Sequence, residues 1–112
     1  MSPLPLTDLE SSLPFRKGER NMLPLLDVPG KVKSVLAALD AGVTIPPHPM
    51  PCEGSLLLIS GAIEFLIGET WHTVKPGQFL RIPSGTMHSV RALESSRFLV
   101  VQSLGGVLNE AH

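Results

Sequence analysis

Two segments decide the fold: Gly42-Val-Thr-Ile-Pro-Pro-His48-Pro-Met50-Pro-Cys52-Glu53-Gly54-Ser-Leu-Leu-Leu-Ile-Ser-Gly61 and Gly77-Gln-Phe-Leu-Arg-Ile-Pro83-Ser-Gly85-Thr-Met-His88-Ser-Val-Arg-Ala92. Each begins on a glycine and carries one histidine beyond a proline-bearing stretch. Between and around them the chain is punctuated by eleven prolines and ten glycines spread along its length. Every proline removes a backbone donor and restricts its predecessor, so long helices are excluded and an all-β chain is expected. Turns fall at regular short spacing, at Asp40-Ala-Gly42, Ser60-Gly61, Gly68-Glu69, Pro76-Gly77, Pro83-Ser-Gly85 and Glu94-Ser-Ser96. Strands are therefore predicted near 32–39, 43–48, 55–60, 62–67, 70–74, 78–82, 87–92 and 97–103. Ile63, Phe65 and Ile67 alternate with Glu64, which puts the apolar three on one face, and Ser60-Gly61 reads as a tight hairpin between two apolar strands. Val35 to Leu39 also fits a buried helical turn, because periodicity does not discriminate in so short a run.

Working outward, 112 residues suit one compact domain. Hydrophobic residues make up 43%, enough apolar surface to offset the entropy of ordering the chain. Nine Lys plus Arg against ten Asp plus Glu give a net charge of −1, and aromatics are only 4% with Trp71 the single tryptophan, so neither phosphate attraction nor base stacking favours a nucleic-acid partner. Leu56 to Ile67, the most apolar stretch, is interrupted by Ser60, Gly61 and Glu64 and is too short to span a bilayer as a helix, so no membrane partner is expected. The lone Cys52 makes no internal disulfide and no secretion-type leader pattern opens the sequence; a cytoplasmic home is the expectation.

Residues 1–30 read as an arm and 31–112 as the body, a sandwich or a barrel. Pro3, Pro5, Pro14, Pro24 and Pro29 interrupt every periodic run in the arm, apart from one helical turn that Thr7-Asp8-Leu9-Glu10 would cap. Its leucines, with Phe15, are too many to leave solvated, so the arm should pack on the body or cross to a second subunit as part of a homodimer.

In order and separation the two quoted segments resemble the two motifs of the cupin family, together with the hairpin between them. The resemblance implies a double-stranded β-helix, a jelly-roll barrel of the small RmlC-like kind, with a metal or a small-molecule ligand inside its mouth. His48 stands where the first motif has its first histidine, and His88 matches the histidine of the second. Met50 replaces the second histidine, Gly54 occupies the acidic position counted back from Gly61, and Ala92 replaces the asparagine of the second motif.

Three site readings follow. In one, Pro49 and Pro51 bulge the strand, alternation resets, and Glu53 joins His48 and His88 around Fe(II), Mn(II), Ni(II) or Zn(II), which would suit an oxygenase or isomerase. Literal alternation turns Glu53 away and instead aligns His48, Met50 and Cys52 with His88 as a soft donor set for copper or zinc. In the third, metal-free, Met50, Cys52 and Met87 line an apolar pocket where His48 and His88 fix the polar group of a ligand. Among other polar residues, His72 reads as a surface histidine, His112 as a frayed end and Cys52 as an inert thiol. Arg81 reads as an outward charge able to pair with Glu64 or to meet an anionic ligand.

Overall fold

The computed structural model describes residues 6–50 and 52–104. Pro3, Pro5, Pro51 and His112, all named above, lie outside them. The described chain forms nine strands: β1 Arg20–Val28, β2 Val32–Leu39, β3 Thr44–Pro49, β4 Glu53–Ser60, β5 Ile63–Ile67, β6 Thr70–Val74, β7 Phe79–Ile82, β8 Met87–Ala92 and β9 Ser96–Ser103. They pair antiparallel into two sheets, ordered β1-β2-β9-β4-β7 and β3-β8-β5-β6, which face each other as a jelly-roll sandwich. Val35 to Leu39 is strand, not helical turn, held between β1 and β9. No helix among the described residues is long and apolar enough to cross a membrane.

Prolines concentrate on strands that tolerate them. β1 carries Pro24 and β3 carries Pro46, Pro47 and Pro49, and both strands are sheet edges with a register shift, at Pro24/Leu26 and at Ile45/His48. An edge or a bulge is where a missing N–H costs no ladder bond. Residues 20–28, expected to lack regular structure because of their prolines, are therefore a strand after all. The prolines mark its place in the sheet, not its absence.

Alternation along the strands separates two apolar clusters. Ala37, Leu39, Leu56, Leu58, Ile63, Phe65 and Phe98 meet between the sheets, and all are essentially buried. On the opposite face of β2, Leu36 and Ala38 are covered by Leu13, with Leu9, Phe15, Leu23 and Leu25 packed around them. Leu9, Leu13 and Phe15 of the arm thus cover the outer face of the larger sheet. Two polar contacts fix it there: Arg97 Nε donates to Leu13 O at 2.9 Å while its guanidinium lies 4.0 Å from the centroid of the Phe15 ring, and Gly18 N donates to Asp40 Oδ2 at 2.7 Å. The amide of Gly18, then the hydroxyl of Ser95, hold the Asp40 carboxyl below its usual pKa. Asp8 caps one turn as expected, its Oδ1 accepting from the amides of Glu10 at 2.9 Å and Ser11 at 3.2 Å.

Ser60-Gly61 is not a hairpin. β4 belongs to the larger sheet and β5 to the smaller, so this turn carries the chain from one sheet to the other. Gly61 takes φ of +90°, and a Cβ built on it would lie 2.7 Å from Ser96 Cα. The corner is tied down by Ser96 Oγ, which accepts from Ala62 N at 3.0 Å and donates toward carbonyl oxygens of the same corner. Turn chemistry alone does not distinguish a hairpin from such a corner, because both need the same left-handed glycine.

Candidate functional site

A cavity of about 250 Å³ opens between the sheets. Its walls are apolar, built by inward residues such as Val35, Ala37, Ile45, Phe65, Phe98 and Val100.

His48 and His88 both line it. They are register partners on β3 and β8, so period-two alternation sends both rings to the same face. The ring centroids lie 4.1 Å apart with planes tilted by 60°. His48 Nδ1 is 2.9 Å from Pro46 O. A carbonyl only accepts, so Nδ1 carries the proton. His88 is 5% exposed, stacks on Phe65 at 5.6 Å and 7°, and neither of its ring nitrogens has a hydrogen-bond partner among the described residues. Burial first, and the neighbouring His48 second, push its pKa down to about 4, so the ring is neutral at physiological pH.

The structure does not bring Glu53 to this pair. Alternation on β4 is literal: Gly54, Leu56 and Leu58 face inward and Glu53 faces out. Its Oε1 accepts from Arg81 Nη2 at 2.9 Å and its Oε2 from the Ser84 amide at 2.7 Å. Those contacts, the Ser84 amide foremost, hold its carboxyl below the usual range. Arg81 therefore pairs with Glu53 and not with Glu64, which is taken by Arg91 at 2.8 Å. Of the three residues expected to line the pocket, only Met50 does so. It is 4% exposed, whereas Cys52 packs half-buried against the core and Met87 is an exposed residue outside the cavity. His72 lies exposed on β6.

Met50 and Gly54 fit one another. A Cβ built on Gly54 would stand 2.5 Å from Met50 Sδ, so the thioether fills space that any larger residue at position 54 would claim. The position that the family resemblance assigns to a carboxylate is thus occupied by methionine side chain. Two imidazoles and a thioether are short of the three or four N and O donors a divalent centre requires. No group of three or more His, Cys, Asp or Glu able to hold a metal ion occurs among the described residues. The donor set present does not fit the family's divalent metal.

Sequence reading missed the polar residues at the rim: exposed Arg20 on β1, half-buried Lys33 on β2 and half-buried Gln102 on β9 all line the cavity. The signal was present. Lys33 shares inward parity with Val35 and Ala37, as Gln102 does with Phe98 and Val100.

These features define a cupin barrel with an altered interior. A family model of the cupin domain matches residues 35–102, and the chain belongs to the cupin family. It is similar to a conserved protein of unknown function from Streptococcus pyogenes, with TM-score 0.83 and 22% identity over 92% of this chain and 90% of that one. A cupin superfamily protein from Desulfitobacterium hafniense gives TM-score 0.80 at 17% identity, over 91% of this chain and 90% of that one. A DMSP lyase from Ruegeria pomeroyi gives TM-score 0.68 at 23% identity, over 75% of this chain and 46% of that one. No curated protein matches the sequence.

Proposed function

We propose that this cupin is a binding protein for a small, largely apolar molecule held in the barrel, with its hydrogen-bonding group against His88 and His48. The observation that carries this reading is that His88, whose two buried ring nitrogens have no partner among the described residues, is one of the residues lining the cavity. A buried donor or acceptor left without a partner costs about 1–3 kcal/mol, and a ligand that meets it recovers that cost on binding. The fixed tautomer of His48 leaves its Nε2 lone pair as an acceptor beside it. In the same reading the protein works as a cytoplasmic homodimer. The exposed Met22 and Leu26 on edge strand β1, within the N-terminal arm, support that association, and a monomer mass by light scattering overturns it.

Calorimetric titration of wild-type protein and a His88→Leu variant with benzoate, benzamide, hexanoate and hexanamide tests the binding reading. Saturable binding of at least one probe that is lost in the variant is expected. Binding that His88→Leu leaves unchanged, or none to any probe, overturns it.

A further inference from the structure

The charges around the cavity discriminate between ligand classes. Its lining contains Arg20 and Lys33 and no Asp or Glu. Lys33 is half-buried, and among the described residues it makes no ion pair. Asp27 is its register partner on β1, but Asp27 is exposed and does not line the cavity. A lysine at the cavity wall that no carboxylate of the lining neutralises attracts an anionic ligand.

Strand register places this cation beside the histidines. Lys33 is directly opposite Gln102 on β9, and Gln102 is directly opposite Gly54 on β4. Gly54 touches Met50, two residues beyond His48. Lys33, Gln102, Met50 and the histidine pair therefore share one end of the barrel. Arg20, opposite Leu39, stands toward the other end of the mouth.

We propose that the ligand is a small carboxylate with an apolar body, its charged group bound between Lys33, Gln102 and the N–H of His88 and its body against Val35, Phe65, Phe98 and Val100. This rests on the binding reading above and adds the class of ligand. Lys33 supplies the charge, while Gln102 and the ring N–H of His88 supply directed donors. Arg20 adds a longer-range positive field that steers the anion to the mouth without touching it. The same field opposes a metal cation in the cavity, in line with the donor set described above.

The test compares each carboxylate with its neutral amide of nearly the same shape: hexanoate with hexanamide and benzoate with benzamide. Each is titrated by calorimetry into the full chain at pH 7 and low salt, and into Lys33→Gln and Arg20→Gln variants checked for folding by circular dichroism. Each carboxylate is expected to bind at least about tenfold more tightly than its amide. Lys33→Gln should abolish that preference, whereas Arg20→Gln should lower carboxylate affinity only severalfold and make it less salt-dependent. Amides that bind as well as carboxylates overturn the proposal and leave the binding reading intact. A carboxylate preference that survives Lys33→Gln overturns the assigned position of the charge. No binding by any of the four probes overturns the binding reading and this proposal with it.

Discussion

His48 and His88 meet as cross-strand partners, ring centroids 4.1 Å apart, on the two strands that carry the paired glycine-proline segments of the sequence. The relationship is asymmetric. His48 is exposed and anchored through Nδ1 to Pro46 O, whereas His88 is buried, stacked on Phe65 and without a partner for either nitrogen. One ring is oriented and reachable; the other holds unspent hydrogen-bonding capacity.

That capacity has a cost, so His88→Leu should stabilise the protein. Leucine removes two buried polar atoms without partners and keeps most of the side-chain volume. It also forfeits the stacking on Phe65, of order 1 kcal/mol. The unsatisfied nitrogens cost about 1–3 kcal/mol, so the balance is a gain of roughly 1 kcal/mol. A higher urea midpoint at pH 7 with an unchanged m-value is the expected result. A lower midpoint would show that the nitrogens are satisfied in solution.

Acid should destabilise the fold through the same ring. The folded-state pKa of His88 is about 4 against an ordinary 6.5, so between those values the unfolded chain binds more protons than the folded one. Stability from this group is at its full value above pH 6.5, declines as pH falls, and levels off below pH 4. The slope attributable to it approaches about 1.4 kcal/mol per pH unit in mid-window. Carboxylates such as Asp40 add their own loss at lower pH, because their pKa values are also depressed. Chemical denaturation at several pH values, for wild type and His88→Leu, separates the two contributions. The variant should be flatter between pH 6.5 and 4, and parallel curves would refute the assignment.

How far the sequence foretold this architecture depends on which physical rule governed each element. Period-two alternation is local and strict, so the inward set Ile63 and Phe65 was legible, whereas the meeting of His48 with His88 is what the resemblance to the two cupin motifs implied. The same rule read literally turns Glu53 outward; a reset of alternation at Pro49 and Pro51 was the expectation that would have brought it in, and its pairing with Arg81 shows the literal reading. β1 was hidden because proline counts against a strand only in a sheet's interior, and edge position is a property of the whole sheet. Gly54 gave no local sign that Met50 would fill its place, since that contact spans a stretch whose path alternation does not determine.

Glycine positions offer a sharper stability contrast. Gly61 and Gly68 both have positive φ, at +90° and +63°. Alanine at either meets backbone strain of order 1 kcal/mol. At Gly68 nothing lies within 4 Å of the added methyl, whereas at Gly61 the methyl would press on the Ser95 carbonyl and Ser96 Cα, which are backbone and do not yield. Gly68→Ala should therefore cost about 1 kcal/mol and Gly61→Ala at least about 3 kcal/mol, as expected for overpacking added to strain. Thermal unfolding of the two variants checks this, and equal losses would remove the inter-sheet corner as the reason for a glycine at 61.

The fit of Met50 to Gly54 is open to a double-mutant cycle. Gly54→Ala places a methyl 2.5 Å from Met50 Sδ and 3.1 Å from Cε, with Val101 O at 3.3 Å. The atoms in conflict belong to the end of a flexible thioether, so Met50 can move aside, and the single substitution should cost only about 1 kcal/mol. The displaced side chain moves into the cavity and reduces its volume. Met50→Ala removes a buried side chain and should cost about 2–4 kcal/mol. In its background the conflict with the thioether is gone, only the closer approach to Val101 O at 3.3 Å remains, and alanine suits a strand better than glycine, so Gly54→Ala should become close to neutral there. A favourable coupling of about 1 kcal/mol or more between the two changes is the expected result from urea denaturation of the four proteins. Strict additivity would mean that methionine does not occupy the space beside Gly54, and that this position in the barrel remains free for a carboxylate side chain.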